Sequence, residues 1–456
     1  MQFHSSPIEE HDEAPLADEG RWEDVVAQWT RRKRLRQPHE GINHSYVVSV
    51  DIGDVAPSRA RLQEICALVD AQGDVVAGAE VCRVAKADPR TLLGRGAYES
   101  IAARAEQCAA DMLVIDACLS PSQARNLEDA MGIAVCDREA VILNVFLRHA
   151  RTRKARIQVE IAHLEYLRPR IRGLGLVMDQ QAGGIMRGRG PGETASELMA
   201  RHLDARLAEL RKAFHKIRNT SVVQRKTRAG CRRIAFVGYT NAGKTTLMNA
   251  LTNAELSARD QPFETLDTTS RCLTRHGGDV LLSDTVGFIR RLPDRLLASF
   301  ESTLAEIRDA SMLAIVVDTS DSEWPMHVNT THALLQKLDA EQIPRLYVFN
   351  KMDRLASSPA PELLQRHAGD HPFVCVSGHD QNDVERLRLL LIDRVRADRR
   401  PARVFVPYTA TRAMALVHAN CRVAMSQPNQ RGVRFTLEAE PHVIQRIRRE
   451  VEEACS

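Results

Sequence analysis

The sequence lacks any apolar stretch long enough to cross a membrane. Apolar residues make up 44% of the 456 positions, but no run approaches the roughly 18–20 residues that a membrane-spanning helix requires. The longest runs, such as Met312 to Val317, have the length and composition of buried parallel strands. We therefore expect no membrane span.

Aromatic residues are also scarce, at 4% of the chain, whereas charged residues make up 27%. This composition is typical of a soluble globular protein, and the length is sufficient for about three domains. The ten cysteines are scattered without a Cys-x-x-Cys pair, and no histidine cluster has metal-ligand spacing, which disfavours a metal site of that kind. Reduced thiols of a cytosolic protein are the simpler interpretation.

The first twenty positions lack the basic and apolar pattern of a signal or transit peptide. They carry acidic residues instead, namely Glu9, Glu10, Asp12, Glu13, Asp18 and Glu19. We therefore expect a cytoplasmic protein, located in part at the periphery of ribosomes or membranes. We also expect it to be a monomer.

The net charge of +4 is mild, but basic residues are concentrated in a few stretches. These stretches are Arg31–Arg36, Arg148–Arg156 and Arg211–Arg233. Such runs are either nucleic-acid-binding patches or solvated helix faces. Charge alone leaves both interpretations open.

The chain divides by pattern into five segments. Residues 1–40 show no apolar periodicity and indicate a flexible extension. Residues 41–150 alternate short β-rich runs with helix-like stretches, which predicts an α/β subdomain with a parallel sheet. Within it, Ser120-Pro121-Ser122 is typical of a capped helix start with proline in the first turn.

A helical hairpin is predicted for residues 151–222. Apolar residues recur there at steps of three or four, first at Ile157, Ile161, Leu164, Leu167 and Ile171, then at Leu203, Leu207, Leu210, Phe214 and Ile217. The glycine-rich stretch Gly173–Gly192 lies between these two helices and forms the long loop of the hairpin. A second α/β domain follows at 232–396, and a small α/β domain at 400–456.

A phosphate-binding loop is predicted at the start of this second α/β domain. The pattern GxxxxGK[ST] follows an apolar strand and precedes a helical run, the context that a P-loop requires. We expect backbone N–H groups and the helix N-terminus to bind the phosphates, Lys244 to reach the β- and γ-phosphates, and Thr245 Oγ to ligate Mg²⁺. The residues are Gly238, Tyr239, Thr240, Asn241, Ala242, Gly243, Lys244 and Thr245.

Two further motifs specify a guanine nucleotide. The first motif lies at the end of a strand and consists of Asp284, Thr285, Val286 and Gly287. It provides a carboxylate for the Mg²⁺ shell and a glycine N–H group for the γ-phosphate. The second, an NKxD motif, consists of Asn350, Lys351, Met352 and Asp353. The Asp353 carboxylate accepts hydrogen bonds from guanine N1–H and N2–H₂, donors that adenine lacks, so ATP would leave a buried carboxylate unpaired. The motifs therefore predict GTP and GDP as ligands.

The switch and base-contact segments are less distinctive. Thr265 lies in the polar segment Asp260–Arg271 and is the candidate switch threonine for Mg²⁺ and the γ-phosphate; its neighbours Phe263, Glu264, Leu266 and Asp267 belong to the predicted site. Near the guanine base we expect Val376, Ser377 and Gly378. Lys244, Thr265 and Gly287 are the predicted catalytic residues, and Thr245 and Thr265 the predicted metal ligands.

Position 288 bears on the rate of hydrolysis. Many GTPases have a glutamine here that orients the attacking water, whereas this chain has Phe288, which cannot form a hydrogen bond through its side chain. We expect slow basal hydrolysis that is stimulated from elsewhere. Packing of Phe288 in the core would be compatible with the same kinetics.

From about residue 58 to 400 the chain resembles the HflX family of ribosome-associated GTPases, within the wider Obg-like group. Long strings carry this resemblance: Ser120–Gln123 with Arg125–Glu128, Gln158–Glu160, Pro169-Arg170, Gly188–Thr194, Asp284–Arg290 and Leu292-Pro293. The resemblance implies an N-terminal α/β domain, a helical hairpin, a G domain and a small C-terminal domain. It also implies ribosome-stimulated hydrolysis, binding to the large (50S) ribosomal subunit and its rRNA, and a role in rescuing or splitting stalled ribosomes.

Several positions depart from the family pattern. Thr245 replaces the usual serine with an equivalent hydroxyl, Thr268 replaces a proline near the switch threonine, and Ala97 replaces the lysine of an N-domain GxGKxEE motif. Ser377-Gly378 stands in place of Ser-Ala. These changes leave GTP binding intact and are compatible with a divergent member of the family.

The sequence therefore predicts an α/β protein that acts as a GTP-hydrolysing switch on the large ribosomal subunit, in translation, ribosome rescue or splitting, or biogenesis. In this hypothesis Arg187 and Arg189 of the glycine-rich loop contact rRNA, because guanidinium groups bind phosphates and stack on bases. Two alternatives stay open. One is an RNA-modifying or metabolic enzyme timed by its G domain, and the other is a GTPase that acts on protein partners away from ribosomes.

Overall fold

The computed structural model describes most of the chain between residues 42 and 455. The described residues are 42–53, 59–150, 152–172, 195–226, 232–252, 269–273, 280–285, 287–290, 293, 296, 306–396, 400–439 and 441–455. They divide into two compact units, with the boundary between Arg138 and Glu139. No helix among these residues has an apolar stretch long enough to span a membrane.

The first unit contains a four-stranded, fully parallel sheet. Its strands β1 (His44–Ile52), β2 (Val75–Val84), β3 (Met112–Ile115) and β4 (Ala134–Asp137) are arranged in the order β2-β1-β3-β4. The connections contain helices α1 (Arg59–Gln72), α2 (Arg95–Gln107) and α3 (Pro121–Met131). Parallel neighbours need such crossovers, and helices on the faces bury the apolar strands.

Helix α3 begins where its sequence predicts. The Ser120 side chain accepts a hydrogen bond from Gln123 N at 3.2 Å, and the Gln123 side chain accepts one from Ser120 N at 3.0 Å. This capping box satisfies two backbone donors at the helix start. The helix ends at Gly132, whose φ of 66° lies in the left-handed region.

Helices α5 (Arg153–Arg172) and α6 (Ala195–Lys226) of the second unit pack against each other, and helix α4 (Arg138–His149), which begins at the unit boundary, precedes them. Three ion pairs connect the two helices, Arg168–Asp204, Glu160–Arg206 and Glu165–Arg211. These pairs show that the two helices lie side by side. Residues 173–194, which join the helices and contain the glycine-rich loop, lie outside the described residues.

A six-stranded sheet forms the centre of the next domain. The strands are β5 (Arg232–Val237), β6 (Thr269–Cys272), β7 (Val280–Asp284), β8 (Met312–Asp318), β9 (Arg345–Asn350) and β10 (Phe373–Cys375), in the order β10-β9-β8-β5-β7-β6. Only β6 is antiparallel to its neighbour. The helices described here are α7 (Lys244–Thr252), α8 (Trp324–Lys337), α9 (Pro361–Ala368) and α10 (Gln381–Arg396), with a 3₁₀ turn at Met352–Arg354.

The C-terminal domain is a three-stranded antiparallel sheet with two helices. Strands β11 (Arg400–Pro407), β12 (Arg422–Pro428) and β13 (Gly432–Ala439) are arranged in the order β11-β13-β12. Helices α11 (Thr411–Asn420) and α12 (Pro441–Cys455) pack with the sheet around one apolar cluster that contains Val404, Val417, Phe435, Leu437 and Ile447.

The predicted fold class is confirmed: α/β, with an N-terminal parallel sheet, a helical pair, a P-loop domain with a mostly parallel sheet, and a small C-terminal α/β domain. The sequence did not predict strands β6 and β12. Residues 269–271 of β6 belong to the polar segment Asp260–Arg271, and β12 carries six exposed residues among its seven. Neither strand shows the apolar alternation that marks a half-buried strand.

Candidate nucleotide-binding site

The predicted nucleotide motifs lie on one edge of the six-stranded sheet. The P-loop follows β5, Asp284 ends β7, Asn350 ends β9, and Val376 follows β10. The carboxyl ends of parallel strands meet at a single edge, so four segments distant in sequence become neighbours. The strand order reverses between β5 and β8, the position at which doubly wound sheets form a ligand crevice.

The P-loop follows a backbone path that few residues can adopt. Asn241 has a φ of 60° and Gly243 a φ of 89°. A Cβ atom at position 243 would lie 2.3 Å from Asn350 Nδ2, so only glycine fits there. Helix α7 begins at the next residue, Lys244, and its N-terminus favours a bound anion.

Lys244 is buried inside this loop. Its Nζ atom donates hydrogen bonds to the carbonyl oxygens of Gly238 at 3.1 Å and Tyr239 at 2.8 Å. Burial lowers the pKa of Lys244 to about 8, while the nearby Asp284 carboxylate acts in the opposite direction. Phosphate charges placed at this loop would compensate for the lost solvation of the ammonium group.

Thr245 and Asp284 provide the oxygen atoms of the candidate magnesium site. Thr245 Oγ1 donates a hydrogen bond to Asp284 Oδ2 at 2.7 Å, and Asp284 is fully buried. A hydroxyl and a carboxylate side by side fit Mg²⁺, which prefers hard oxygen ligands and retains waters and substrate phosphates as its other ligands. In such an arrangement Thr245 would hold the ion directly, and Asp284 would orient its water.

The segment after Asp284 is attached to the P-loop. Thr240 N donates to Phe288 O at 2.7 Å, and Phe288 N donates to Gly238 O at 3.0 Å, which forms a parallel bridge beside Tyr239. A Cβ at Gly287 would lie 2.9 Å from Thr240 Cγ2, so this glycine is in close contact with the loop. Phe288 itself is only 1% exposed and packs in the core.

The NKxD motif and the segment after β10 form the base-binding side. Asn350 Nδ2 donates to Ala242 O at 2.9 Å, and Asn350 Oδ1 accepts from Gly378 N at 3.1 Å. A hydrogen bond from the Ser377 side chain is the main cause that lowers the pKa of Asp353. Asp353 is therefore ionised at neutral pH and can accept from two guanine donors.

Sequence reasoning missed two residues that contact the motifs. Asp318, the last residue of β8, forms an ion pair with Lys351 at 2.8 Å, while Lys351 has a left-handed φ of 63°. His327 of α8 stacks on Tyr239 with ring centroids 3.8 Å apart. The position of Asp318 at the end of an apolar strand, like that of Asp284, was the available signal, whereas no local pattern indicates His327.

Three sequence families and several solved structures are similar to parts of this chain. Residues 59–147 match a sequence family described as "GTP-binding GTPase N-terminal", residues 149–228 match "GTP-binding GTPase Middle Region", and residues 233–351 match "50S ribosome-binding GTPase". A solved structure of a GTP-binding protein from the archaeon Sulfolobus solfataricus in complex with GDP has 21% identity and a TM-score of 0.41, over 77% of this chain and 98% of its own.

Relatives that match this chain over most of their own length show its family. The GTPase HflX of Spirochaeta thermophila is 43% identical over 66% of this chain and 73% of its own. The GTPase HflX of Magnetococcus marinus is 37% identical over 86% of this chain and 90% of its own. This chain belongs to the HflX family. It is therefore a GTP-hydrolysing enzyme.

Six predicted site residues of this HflX-family GTPase lie outside the described residues. They are Phe263, Glu264, Thr265, Leu266, Asp267 and Val286. The remaining P-loop, DxxG and NKxD residues are brought together with Ser377 and Gly378. The assignment of each residue to phosphate, metal or base stays a prediction.

The N-terminal sheet has a charged cluster at the carboxyl ends of β1 and β3. Arg61 Nη1 lies 2.7 Å from Asp51 Oδ1, and Arg61 Nε lies 3.7 Å from Asp116 Oδ2. Arg138 forms ion pairs with both Asp116 and Glu64. Asp51, Asp116 and Arg138 are each at most 2% exposed. Buried charges of opposite sign require such pairing. In this arrangement the two arginines neutralise carboxylates of the same unit.

Proposed function

We propose that this protein is a switch whose GTP-bound form binds the large (50S) ribosomal subunit and whose hydrolysis of GTP releases it. The proposal includes GTP as substrate, Mg²⁺ as cofactor, rRNA of the large subunit as the contacted surface, a monomeric protein and a location in the cytoplasm. The observation that carries it is the assembly of the P-loop, DxxG and NKxD segments on one sheet edge.

The guanine preference rests on Asp353 and its surroundings. The hydrogen bond from Ser377 favours the ionised carboxylate, and Asn350 connects the base-binding segment to the P-loop. An ionised acceptor pair suits the N1–H and N2–H₂ donors of guanine and would be left unpaired by adenine. This pairing supports GTP over ATP as the nucleotide.

The switch character rests on the contact between the P-loop and the DxxG segment. Gly287 and Phe288 are hydrogen-bonded to, or packed against, Gly238 and Thr240. A γ-phosphate bound at Lys244 would meet this segment, so the nucleotide state is expected to alter its position. The partner is suggested by the family description of residues 233–351, a 50S ribosome-binding GTPase.

Co-sedimentation with purified subunits tests the proposal. We expect the protein to pellet with 50S subunits in a non-hydrolysable GTP analogue and to remain in the supernatant with GDP. Neither nucleotide should cause pelleting with 30S subunits. Equal pelleting in the GTP-analogue and GDP states, or none in either, would contradict the proposal and would favour a protein partner away from ribosomes.

Hydrolysis provides a second readout of the same proposal. Basal phosphate release should be slow and should rise when 50S subunits are added, because Phe288 provides no hydrogen bond for the attacking water. Thr245→Ala removes the hydroxyl predicted to ligate Mg²⁺ and should sharply reduce hydrolysis. Thr252→Ala is a matched control, because its hydroxyl donates to Met248 O in the last turn of the same helix. If phosphate release is fast without 50S subunits and does not change when they are added, ribosomes do not control this GTPase.

A further inference from the structure

The C-terminal sheet has one covered face and one open face. Val404, Phe435 and Leu437 are buried and belong to the apolar cluster that α11 and α12 share with the sheet. Side chains alternate along a strand, so the residues between them point to the opposite face. Residues 400–456 also lie beyond the three matched sequence families, which end at residue 351.

Strand register specifies which side chains share the open face. Directly paired residues of antiparallel strands lie on the same face. One row across the sheet consists of Arg403, Thr436 and Met425, and the next consists of Phe405, Arg434 and Gln427. We use the term open face for these six residues.

Phe405 is held against the sheet in a defined position. A Cβ atom at Gly432 would lie 2.4 Å from Val406 O, 2.7 Å from Pro407 Cα and 2.9 Å from Phe405 Cζ, so the backbone requires glycine here and the end of the Phe405 ring lies over it. The ring is nevertheless 36% exposed. An aromatic ring that rests on a rigid sheet and keeps one side in solvent is suited to stacking with a planar group.

Two unneutralised arginines flank this ring. Arg434 lies directly opposite Phe405 on the central strand, and Arg403 lies two residues before it; both are exposed, and neither has an ion-pair partner among the described residues. The third row on this side of the sheet consists of Pro401, Glu438 and Arg422. Arg422 pairs with Glu438 at 3.2 Å, so this row adds no net charge. The open face is therefore positively charged beside its aromatic ring.

This combination fits one ligand class better than others. The two rows carry two arginines and no carboxylate, and this excess of positive charge favours a polyanionic ligand over a protein. Single-stranded RNA has exposed planar bases and a phosphate backbone, which aromatic rings and arginines bind respectively. The Gln427 amide and Thr436 hydroxyl on the same face can form hydrogen bonds with base edges or a 2′-hydroxyl.

We propose that the open face of the C-terminal sheet binds single-stranded RNA, with a base stacked on Phe405 and phosphates bound by Arg403 and Arg434. This binding does not depend on the nucleotide in the G domain or on the identity of the switch partner. It therefore adds an RNA-binding activity to the proposed function.

Fluorescence anisotropy with the full chain and a labelled, unstructured 12-nucleotide RNA tests this proposal. Phe405→Leu retains an apolar side chain above Gly432 but removes the aromatic face, and we expect binding about tenfold weaker. Arg403→Gln combined with Arg434→Gln should weaken binding and reduce the slope of log affinity against log salt by about 1.4, or 0.7 per phosphate. The same RNA annealed into a duplex should bind less tightly than the single strand.

Arg448→Gln is the matched control, since Arg448 is exposed on helix α12 of the same domain and also has no ion-pair partner among the described residues; the affinity and slope of this variant should equal those of the wild type. GTP affinity and the unfolding midpoint of each variant show that the fold is retained. The proposal is overturned if the wild type does not bind the oligonucleotide, or if the Phe405 and double arginine variants bind it as tightly as the wild type. If these variants lost 50S pelleting but bound the oligonucleotide as tightly as the wild type, the open face would instead be a docking site for a protein. RNA binding without 50S pelleting would leave this inference intact and remove the proposed function.

Discussion

At the scale of single residues, the burial of Lys244 has a measurable consequence. Its pKa is lowered to about 8 from an ordinary value of 10.5. An unfolded chain therefore binds more protons than the folded one between these values, so this lysine makes stability rise as pH increases from about 8 to 10.5. Bound phosphates should raise the pKa of Lys244 again, because they favour its charged form.

We predict that GTP binding is coupled to proton uptake by Lys244. At pH 9 much of the free protein should carry a neutral lysine, and binding should take up a large fraction of one proton; at pH 7 uptake should be small. Isothermal titration in buffers of different ionisation enthalpy measures this number. An uptake that is identical at pH 7 and pH 9 would show that the lysine keeps its proton in the free protein.

Asp353 permits a prediction about base choice. Asp353→Asn presents a donor where guanine N1–H needs an acceptor, whereas xanthine offers a carbonyl in place of the 2-amino group. We expect GTP affinity to fall by at least about a hundredfold, or about 3 kcal/mol, and affinity for xanthosine triphosphate to increase. Titration with both nucleotides decides this, and Asp370→Asn, an exposed aspartate after α9, is the control. Unchanged GTP affinity would mean that Asp353 does not read the base.

Individual site residues were predictable from sequence to the extent that they belong to motifs. Gly243, Lys244 and Asp353 stand at fixed spacings that follow from phosphate and base geometry, so a local pattern identifies them. The stack of His327 on Tyr239 and the ion pair of Asp318 with Lys351 join residues far apart in sequence. Only the folded sheet and its helices bring these pairs together.

At the scale of elements, Asn350 joins three segments of the site. It is 2% exposed and connects β9 with the P-loop and with the segment after β10. We predict that Asn350→Ala leaves Ala242 O and Gly378 N without this partner and destabilises the fold by about 2 kcal/mol. Affinity for GTP and GDP should fall by the same factor, because Asn350 belongs to the predicted base-binding side, which both nucleotides share.

Chemical denaturation and nucleotide titration test this prediction. Asn382→Ala is the control, since Asn382 is exposed at the start of α10, and a change there should stay within about 0.5 kcal/mol. A selective loss of GTP binding with normal GDP binding would argue against the role of Asn350 as a joint between segments.

Phe288 supports a prediction about the segment that follows β7. Because Phe288 is 1% exposed and its backbone bonds to Gly238 and Thr240, a glutamine at 288 would be directed into the core and not toward water. We expect Phe288→Gln to leave basal hydrolysis unchanged and to destabilise the protein by about 3 kcal/mol, and Phe288→Leu to cost about 1 kcal/mol. Single-turnover hydrolysis and denaturation measure both effects. Faster basal hydrolysis in Phe288→Gln would show that this position does reach the attacking water.

Element prediction succeeded where burial imposes a pattern. Strands β8 and β9 are buried on both faces and read as continuous apolar runs, and α3 carries its capping box in the sequence. The sequence pattern did not predict strand β12, because β12 is an edge strand with a register shift between Val423 and Met425. Its side chains are mostly exposed, so packing placed no constraint on their polarity.

At the scale of the whole molecule, helices α5 and α6 form the pair that the sequence predicts. Three ion pairs connect them, Arg168–Asp204, Glu160–Arg206 and Glu165–Arg211. This pairing agrees with the two heptad-like patterns in the sequence. The sequence could not specify the contacts of the glycine-rich loop itself, since a glycine-rich segment has neither a preferred backbone conformation nor an apolar face.

The final prediction concerns Arg187 and Arg189 in this loop, which lie outside the described residues. The sequence between Gly183 and Gly192 contains no acidic residue that could pair with them, so we expect their charge to be available to RNA. We predict that Arg187→Ala combined with Arg189→Ala weakens binding to 50S subunits and leaves GTP affinity unchanged. If the arginines contact phosphates, the slope of log affinity against log salt should fall by about one per lost contact. If they stack on bases, affinity should fall with little change in slope.

Quantitative pelleting in a non-hydrolysable GTP analogue over a salt series measures both quantities. Arg448→Ala controls for the loss of surface charge and should have no effect, because Arg448 is an exposed arginine on helix α12. Retention of the wild-type affinity by the double variant at every salt concentration would show that this loop does not bind the RNA. In that case the basic runs Arg148–Arg156 and Arg225–Arg233, which flank the helical pair in sequence, become the leading candidates, because their charge would still lie next to the same helices.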